Sequence, residues 1–244
     1  MKRFILFAAL TFALLPAAST RAQGNHEYAP LQQQMVNYKD WTLNNVADGK
    51  PVNLRSFVQG KKLVLVVYFA PWCPNWRNEA PLAAELYQKY KQNGLEVIGI
   101  SEYAALDDTR KYFGAAGAPY MVVAESEGRE WRDKTAHYGY RKTTGDTRNW
   151  GSPWNIFLEP AKFKKNSEVL TEMAWIVNGE LIEAEVEKFV RERLGLDGKT
   201  ETKKKAALDL KIETDQDKLV RESLSANPNS KAKTNTTTTT PCKQ

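Results

Sequence analysis

Cysteine is nearly absent from this chain: its 244 residues include two, Cys73 and Cys242. That count excludes a disulfide-dense scaffold and any metal site built from a set of cysteines. Histidine is as scarce, with only His26 and His137. Two histidines and one well-placed cysteine do not make a zinc site, so no metal and no other cofactor is expected. No long apolar run of the length needed to cross a bilayer occurs, which excludes an ordinary membrane-spanning helix. No concentrated basic cluster stands in the middle of the chain, as nucleic-acid binding would need. What is present is an ordinary globular composition, 42% hydrophobic and 26% charged, with enough apolar material for a sizeable core.

The ends differ from the middle. Residues 1–22 read as a secretory signal: Lys2 and Arg3 as a positive start, an apolar stretch from Phe4 to Leu15 broken by Pro16, and small residues in Thr20-Arg21-Ala22. Cleavage after Ala22 would remove Lys2, Arg3 and Arg21 and lower the formal charge from +6 to +3. A signal implies an oxidising compartment outside the cytoplasm, periplasmic or secreted, and no membrane span after cleavage. Residues 23–39 are Gln-rich and read as a polar lead-in. Beyond Gly195 the chain turns polar and low in complexity, with Lys203-Lys204-Lys205 and Thr236 to Thr240. Residues 195–244 read as a largely disordered tail, with one short helix possible over Lys218 to Leu224.

Between the ends the pattern is that of an α/β layer structure. Asp48-Gly49-Lys50-Pro51 is a turn signal between short strand-like runs. Lys62 to Ala70 (KLVLVVYFA) is a continuous apolar run, as expected of a strand buried on both faces. Asn75 to Asn93 has helical spacing through Leu82, Leu86 and Tyr90, and Gly94 stops it. Leu95 to Ile100 predicts a second buried strand, Asp107 to Phe113 a helix, and Tyr120 to Ala124 a third strand. Residues 125–150 are polar and aromatic without a strong period and read as an insert. Trp154 to Leu158 and Thr171 to Val177 are further strands, the latter closed by a hairpin signal at Asn178-Gly179. Leu181 to Leu194 predicts a terminal amphipathic helix. Alternating strands and helices imply parallel pairing through right-handed crossovers.

The chemistry points to Cys73. In Trp72-Cys73-Pro74-Asn75-Trp76 the thiol leaves a buried strand and opens a helix. Backbone N–H groups and the positive end of the helix dipole favour a negative thiolate at such a junction.

Residues 40–194, about two thirds of the chain, resemble the thioredoxin-like fold, and within it the secreted TlpA-like thiol–disulfide oxidoreductases and their redoxin (AhpC/TSA-related) relatives. The resemblance rests on DGKPVNLRSF (48–57), the strand LVLVVYFA, PWCPNWRNEAP (71–81) and LAAELYQKYKQNGLEVIGIS (82–101). It also includes SPWNIFLEP (152–160), in which Pro153 matches the family's cis-proline beside the active-site cysteine. The resemblance implies a three-layer α/β/α sandwich with a central mixed sheet. It implies thiol–disulfide exchange at Cys73, a groove shaped by Trp72, Pro74, Trp76 and Pro153, and a thiol- or disulfide-containing protein or small thiol as partner. The chain departs from the family's Cys-x-x-Cys at one point: Trp76 stands where the resolving cysteine would be. A mixed disulfide on Cys73 therefore has no neighbouring thiol to cleave it.

Several expectations follow. The first is a secreted oxidoreductase working through Cys73 alone, resolved by an outside thiol or by Cys242 on its tail. The second is a redox-inactive binding module, with Trp76 and the tryptophans Trp72, Trp150 and Trp154 forming a recognition surface. The third is a one-cysteine peroxidase passing through sulfenic acid, although Val66 and Ala70 stand where the peroxiredoxin pattern has proline and threonine or serine. Glu102, just past a strand end, and His137, inside the insert, are candidates for tuning the thiol.

Overall fold

The computed structural model describes residues 26–198. The expected signal sequence, the tail from residue 199 onward, the short helix over 218–224 and Cys242 lie outside the described residues. The chain divides into two units, Met1–Val186 and Glu187–Gln244.

The first unit is built on one eight-stranded sheet of order β1-β8-β7-β4-β5-β6-β2-β3. Its centre is β4 (Leu63–Phe69), all seven residues of which are buried. Fully burying each such apolar side chain is worth about 1.5–3 kcal/mol, so this run holds the sheet's middle. On one side β4 pairs in parallel with β5 (Leu95–Ser101), which pairs in parallel with β6 (Met121–Ala124). On the other side β7 (Trp154–Leu158) runs antiparallel to β4, and β8 (Val169–Val177) antiparallel to β7. The sheet is therefore mixed, as the resemblance implied.

Side chains of β4 alternate between two helical layers. Val64, Val66 and Tyr68 face a core shared with Leu54 and Val58 near α1 (Leu54–Phe57) and Tyr140 of α4 (Ala136–Thr143). Phe69 faces the opposite layer, where it stacks on Trp76 of α2 (Pro74–Tyr90) and meets Phe113 of α3 (Leu106–Phe113) edge-on. Gly99 in β5 lies under this packing: a Cβ there would come within 2.9 Å of the Phe69 ring, so the strand can pass only without one.

Helix α2 begins with Pro74 at its first turn, where a missing N–H costs nothing. It ends at a 3-10 turn, Lys91–Asn93, capped by Gly94 in the left-handed region. Its buried residues are Trp76, Glu79, Ala83, Leu86 and Tyr90, a three-four spacing along one face. Leu82, expected on that face, is only half-buried.

Three expectations are corrected. Residues 32–39 of the polar lead-in form an edge strand, β1 (Gln32–Lys39), paired with β8. The insert 125–150 is not aperiodic: it holds a 3-10 turn, Arg129–Trp131, and α4. Asn178-Gly179 does not close a hairpin. The β7–β8 hairpin turns upstream of β8, through Pro160–Lys162, and β8 leads on toward α5 (Glu183–Leu194). The Asp48-Gly49 turn joins β2 (Thr42–Asn45) to β3 (Pro51–Asn53) in an antiparallel pair.

Of the second unit, residues 187–198 are described. They carry the rest of α5, and Arg191 pairs with Asp197 at 2.9 Å. Among the described residues no helix is long and apolar enough to cross a membrane.

Candidate active site

The β4–β7 register explains why Cys73 and Pro153 meet, although eighty residues of chain separate them. Tyr68 is opposite Trp154 in an antiparallel pair. The residues that leave β4, Ala70 to Cys73, therefore run beside the residues that enter β7, Ser152 and Pro153. Ser152 fastens the two segments. Its hydroxyl accepts the Ala70 N–H at 2.8 Å, and its carbonyl oxygen accepts the Cys73 thiol hydrogen at 3.0 Å. The Ser152–Pro153 peptide bond is cis. Cys73 is the N-cap residue of α2, and its side chain caps no backbone N–H. Its sulfur is buried at the surface's edge, with the residue 8% exposed.

The neighbours of Cys73 differ in exposure. Pro74 is exposed and Pro153 is buried. Trp72 is half-buried; its indole N–H donates to the Tyr103 carbonyl at 3.0 Å, and its ring meets Trp150 edge-on at 5.2 Å. Trp76 is fully buried and stacks on Phe69 with ring centres 4.3 Å apart. The expectation that Trp76 belongs to a recognition surface is therefore corrected: it fills the core beneath Cys73. Trp154 is equally buried, against Tyr68 and Tyr140.

Glu102 and His137 sit behind the site rather than on the thiol, and neither shares a hydrogen bond with Cys73. Glu102 is fully buried and bonded to the Ser126 hydroxyl. Burial, reinforced by the facing Glu125 carboxyl, pushes its pKa well above the usual carboxylate range. Its other oxygen has no partner. His137 is fully buried, stacked on Tyr68 at 4.8 Å and sharing a hydrogen bond of 3.1 Å between its Nδ1 and the Tyr103 hydroxyl. Burial holds its pKa well below the ordinary histidine value, so the ring is neutral.

Two further features bear on the site. On α2, Glu79 points inward under Cys73's helix. One carboxyl oxygen accepts the Leu181 N–H at 2.7 Å and an Asn155 amide hydrogen at 3.1 Å, and the other has no partner. Burial pushes its pKa up to about 8. The inward spacing from Trp76 was the available sequence signal. From the insert, Arg148 donates to the Pro153 carbonyl at 2.8 Å while pairing with Asp146 at 2.7 Å. Arg141, almost wholly buried, pairs with the same carboxylate at 3.0 Å. Burial alone would raise the Asp146 pKa, but the two guanidiniums outweigh it and hold it below its usual value. Gly151 has a positive φ of 55°, and a Cβ there would overlap the Arg141 guanidinium. Glycine is required at this close approach.

Residues 36–144 match the AhpC/TSA family. That match covers less than half of the chain. The chain is 38% identical over 149 residues to a chloroplastic peroxiredoxin Q of Triticum aestivum, covering 61% of this chain and 60% of that one. It is 32% identical over 72 residues to a probable protein disulfide-isomerase A4 of Caenorhabditis elegans, covering 29% of this chain and 12% of that one. The chain thus spans less than two thirds of the length of either curated relative. A solved thioredoxin-family thiol:disulfide interchange protein from Chlorobium tepidum aligns with a TM-score of 0.46 at 22% identity, over 67% of this chain and 97% of that one.

Proposed function

We propose that this chain is a redoxin and performs thiol–disulfide exchange outside the cytoplasm through Cys73 alone. The observation that carries the reading is the pairing of Cys73, at the start of α2, with the Ser152–Pro153 segment, while buried Trp76 occupies the place of a second thiol. The Cys73 thiolate attacks one sulfur of a partner's disulfide. The partner's S–S bond breaks, a Cys73–partner disulfide forms, and the departing sulfur takes up a proton. An outside thiol then attacks the partner's sulfur in the mixed disulfide: a partner–thiol disulfide forms, the Cys73–partner bond breaks, and Cys73 is restored. Trp72, Pro74 and Pro153 shape the groove around the sulfur, Trp76 supports it from beneath, and the partner is a thiol- or disulfide-containing protein or small thiol. Residues 1–22 supply the location, with the features of a cleaved secretory signal.

The test is trapping. Incubation of the mature chain with extracts of its own compartment, followed by acid quenching and non-reducing separation, should yield adducts that reductant releases. Cys73→Ser should abolish them and Cys242→Ser should not. Adducts that survive Cys73→Ser would contradict the reading.

The family match and the peroxiredoxin Q relative favour a second reading, a peroxidase. Cys73 would attack a peroxide oxygen, forming a sulfenic acid as the O–O bond breaks and water leaves. Rapid hydrogen peroxide consumption that requires Cys73 and an added thiol would establish it.

A further inference from the structure

Beside Cys73, a pair of tryptophans carries arginines that form no ion pair among the described residues. Trp72 directly precedes Cys73, and Trp150 stands three residues before Pro153. Their rings meet edge-on. The Arg129 guanidinium lies 4.2 Å above the Trp72 ring and 5.7 Å from Trp150, and Arg132 lies 5.7 Å from Trp150 while donating to the Asn149 side chain at 2.7 Å. Trp72 also borders a pocket of about 330 Å³, lined further by Pro71, Arg77, Asp108, Lys111 and Tyr112. Arg77 reaches there from the first turn of α2, using its Nε to donate to the Pro71 carbonyl at 3.1 Å.

None of Arg77, Arg129 and Arg132 forms an ion pair with a carboxylate among the described residues, although Glu127, Glu130 and Asp133 are close in sequence to the latter two. The one acid of the pocket, Asp108, is paired with Lys111 at 3.7 Å. A guanidinium stacked on an indole is held by its flat face. Its in-plane N–H edge stays available, and that edge matches a carboxylate.

We infer that the partner of Cys73 is an acidic polypeptide segment whose own cysteine is flanked by aspartate or glutamate. The inference rests on the reading of Cys73 as the reacting sulfur and names the substrate class. The cations come from two separate elements, α2 and the insert, and both reach Trp72. A peptide strand crossing Cys73 places carboxylates toward both, with the tryptophan rings under its backbone.

Two measurements on the full chain with Cys242→Ser test this. In the first, Cys73→Ser protein is titrated calorimetrically with three short peptides of one sequence, with glutamate, glutamine or lysine around a central serine. The glutamate peptide should bind about tenfold more tightly than the glutamine one, and the lysine peptide more weakly than either. Near 1 M salt, where screening acts over about 3 Å, the preference should vanish. The double variant Arg129→Gln, Arg132→Gln should remove part of that preference, the triple variant that adds Arg77→Gln should bring the glutamate peptide down to the glutamine level, and Arg129→Lys, Arg132→Lys should keep more of it than the glutamine double variant. Equal binding of the three peptides would overturn the inference. In the second, the homodisulfides of the same peptides with a central cysteine are mixed with protein retaining Cys73, and adducts are counted by mass. Faster adduct formation by the glutamate peptide supports the inference. Preferential binding with no adduct from any peptide would keep the acidic-peptide site and remove the exchange reading.

Discussion

Cys73 gives its thiol hydrogen to the carbonyl oxygen of Ser152 at 3.0 Å, while the Ser152 hydroxyl takes the Ala70 N–H at 2.8 Å. One residue of the incoming β7 segment thus ties both the Cys73 side chain and the backbone that presents it.

Ser152→Ala should therefore act on the presenting backbone. It strands a buried Ala70 N–H, which costs about 1–3 kcal/mol. Urea unfolding at neutral pH should show that loss, and Ser152→Thr should recover much of it. An unchanged midpoint would mean that water replaces the hydroxyl.

Trp76→Cys should convert the chemistry while weakening the fold. Removing a fully buried indole leaves a cavity, and large-to-small core changes of this size cost about 3–5 kcal/mol. The new thiol should attack a mixed disulfide on Cys73, so adducts that persist in the parent chain should become transient and end as an intramolecular disulfide. Mass spectrometry with and without alkylation distinguishes the two courses.

Glu79 should make stability fall with rising pH. Its folded pKa, pushed up to about 8 by burial, exceeds the ordinary value of 4.5. Between these values the folded chain holds a proton that the unfolded chain has released, so stability drops by up to about 1.4 kcal/mol per pH unit. Glu79→Gln should remove that slope. The variant should equal the parent near pH 5 and exceed it near pH 9. A parent more stable than the variant at pH 9 would show that the carboxylate is stabilised where it lies.

Asp146→Asn should unfasten the insert from the cis-proline segment. It leaves the buried Arg141 guanidinium and its neighbour Arg148 without their shared carboxylate, a change that typically costs about 3–5 kcal/mol. The Asp146 pKa is held below 3.8, so its stabilisation is complete above that value and is lost as the pH falls through the folded pKa. The difference between parent and variant should be full at pH 7 and shrink in acid. Denaturant midpoints across that range check both statements.

The parts of the molecule legible in the sequence are those where one force dominates. The β4 run is apolar throughout because both of its faces are covered, and the Trp72-Cys73-Pro74 junction marks where that strand yields to a helix. β1 was hidden because it is an edge strand: only Val36 and Tyr38 are buried, while Gln32, Gln33 and Met35 face solvent. α4 was hidden because its buried face carries His137 and Arg141 as well as Tyr140. Polar residues break an apolar period even when, as with Arg141, a buried carboxylate accounts for them. Glu79 was legible in principle from its spacing with Trp76, Ala83 and Leu86. The contact of Arg148 with the Pro153 carbonyl was not, since it depends on how the insert folds back over the sheet's end.

The central claim is that Cys73 exchanges disulfides without an internal partner. The most direct measurement is an intact-mass time course of the mature Cys242→Ser chain with a small disulfide, first without thiol and then with an excess of it. The account predicts one adduct per chain, absent in Cys73→Ser, that accumulates, persists while no thiol is present and disappears once thiol is added. A chain that never forms the adduct, or that loses it without any added thiol, would contradict it.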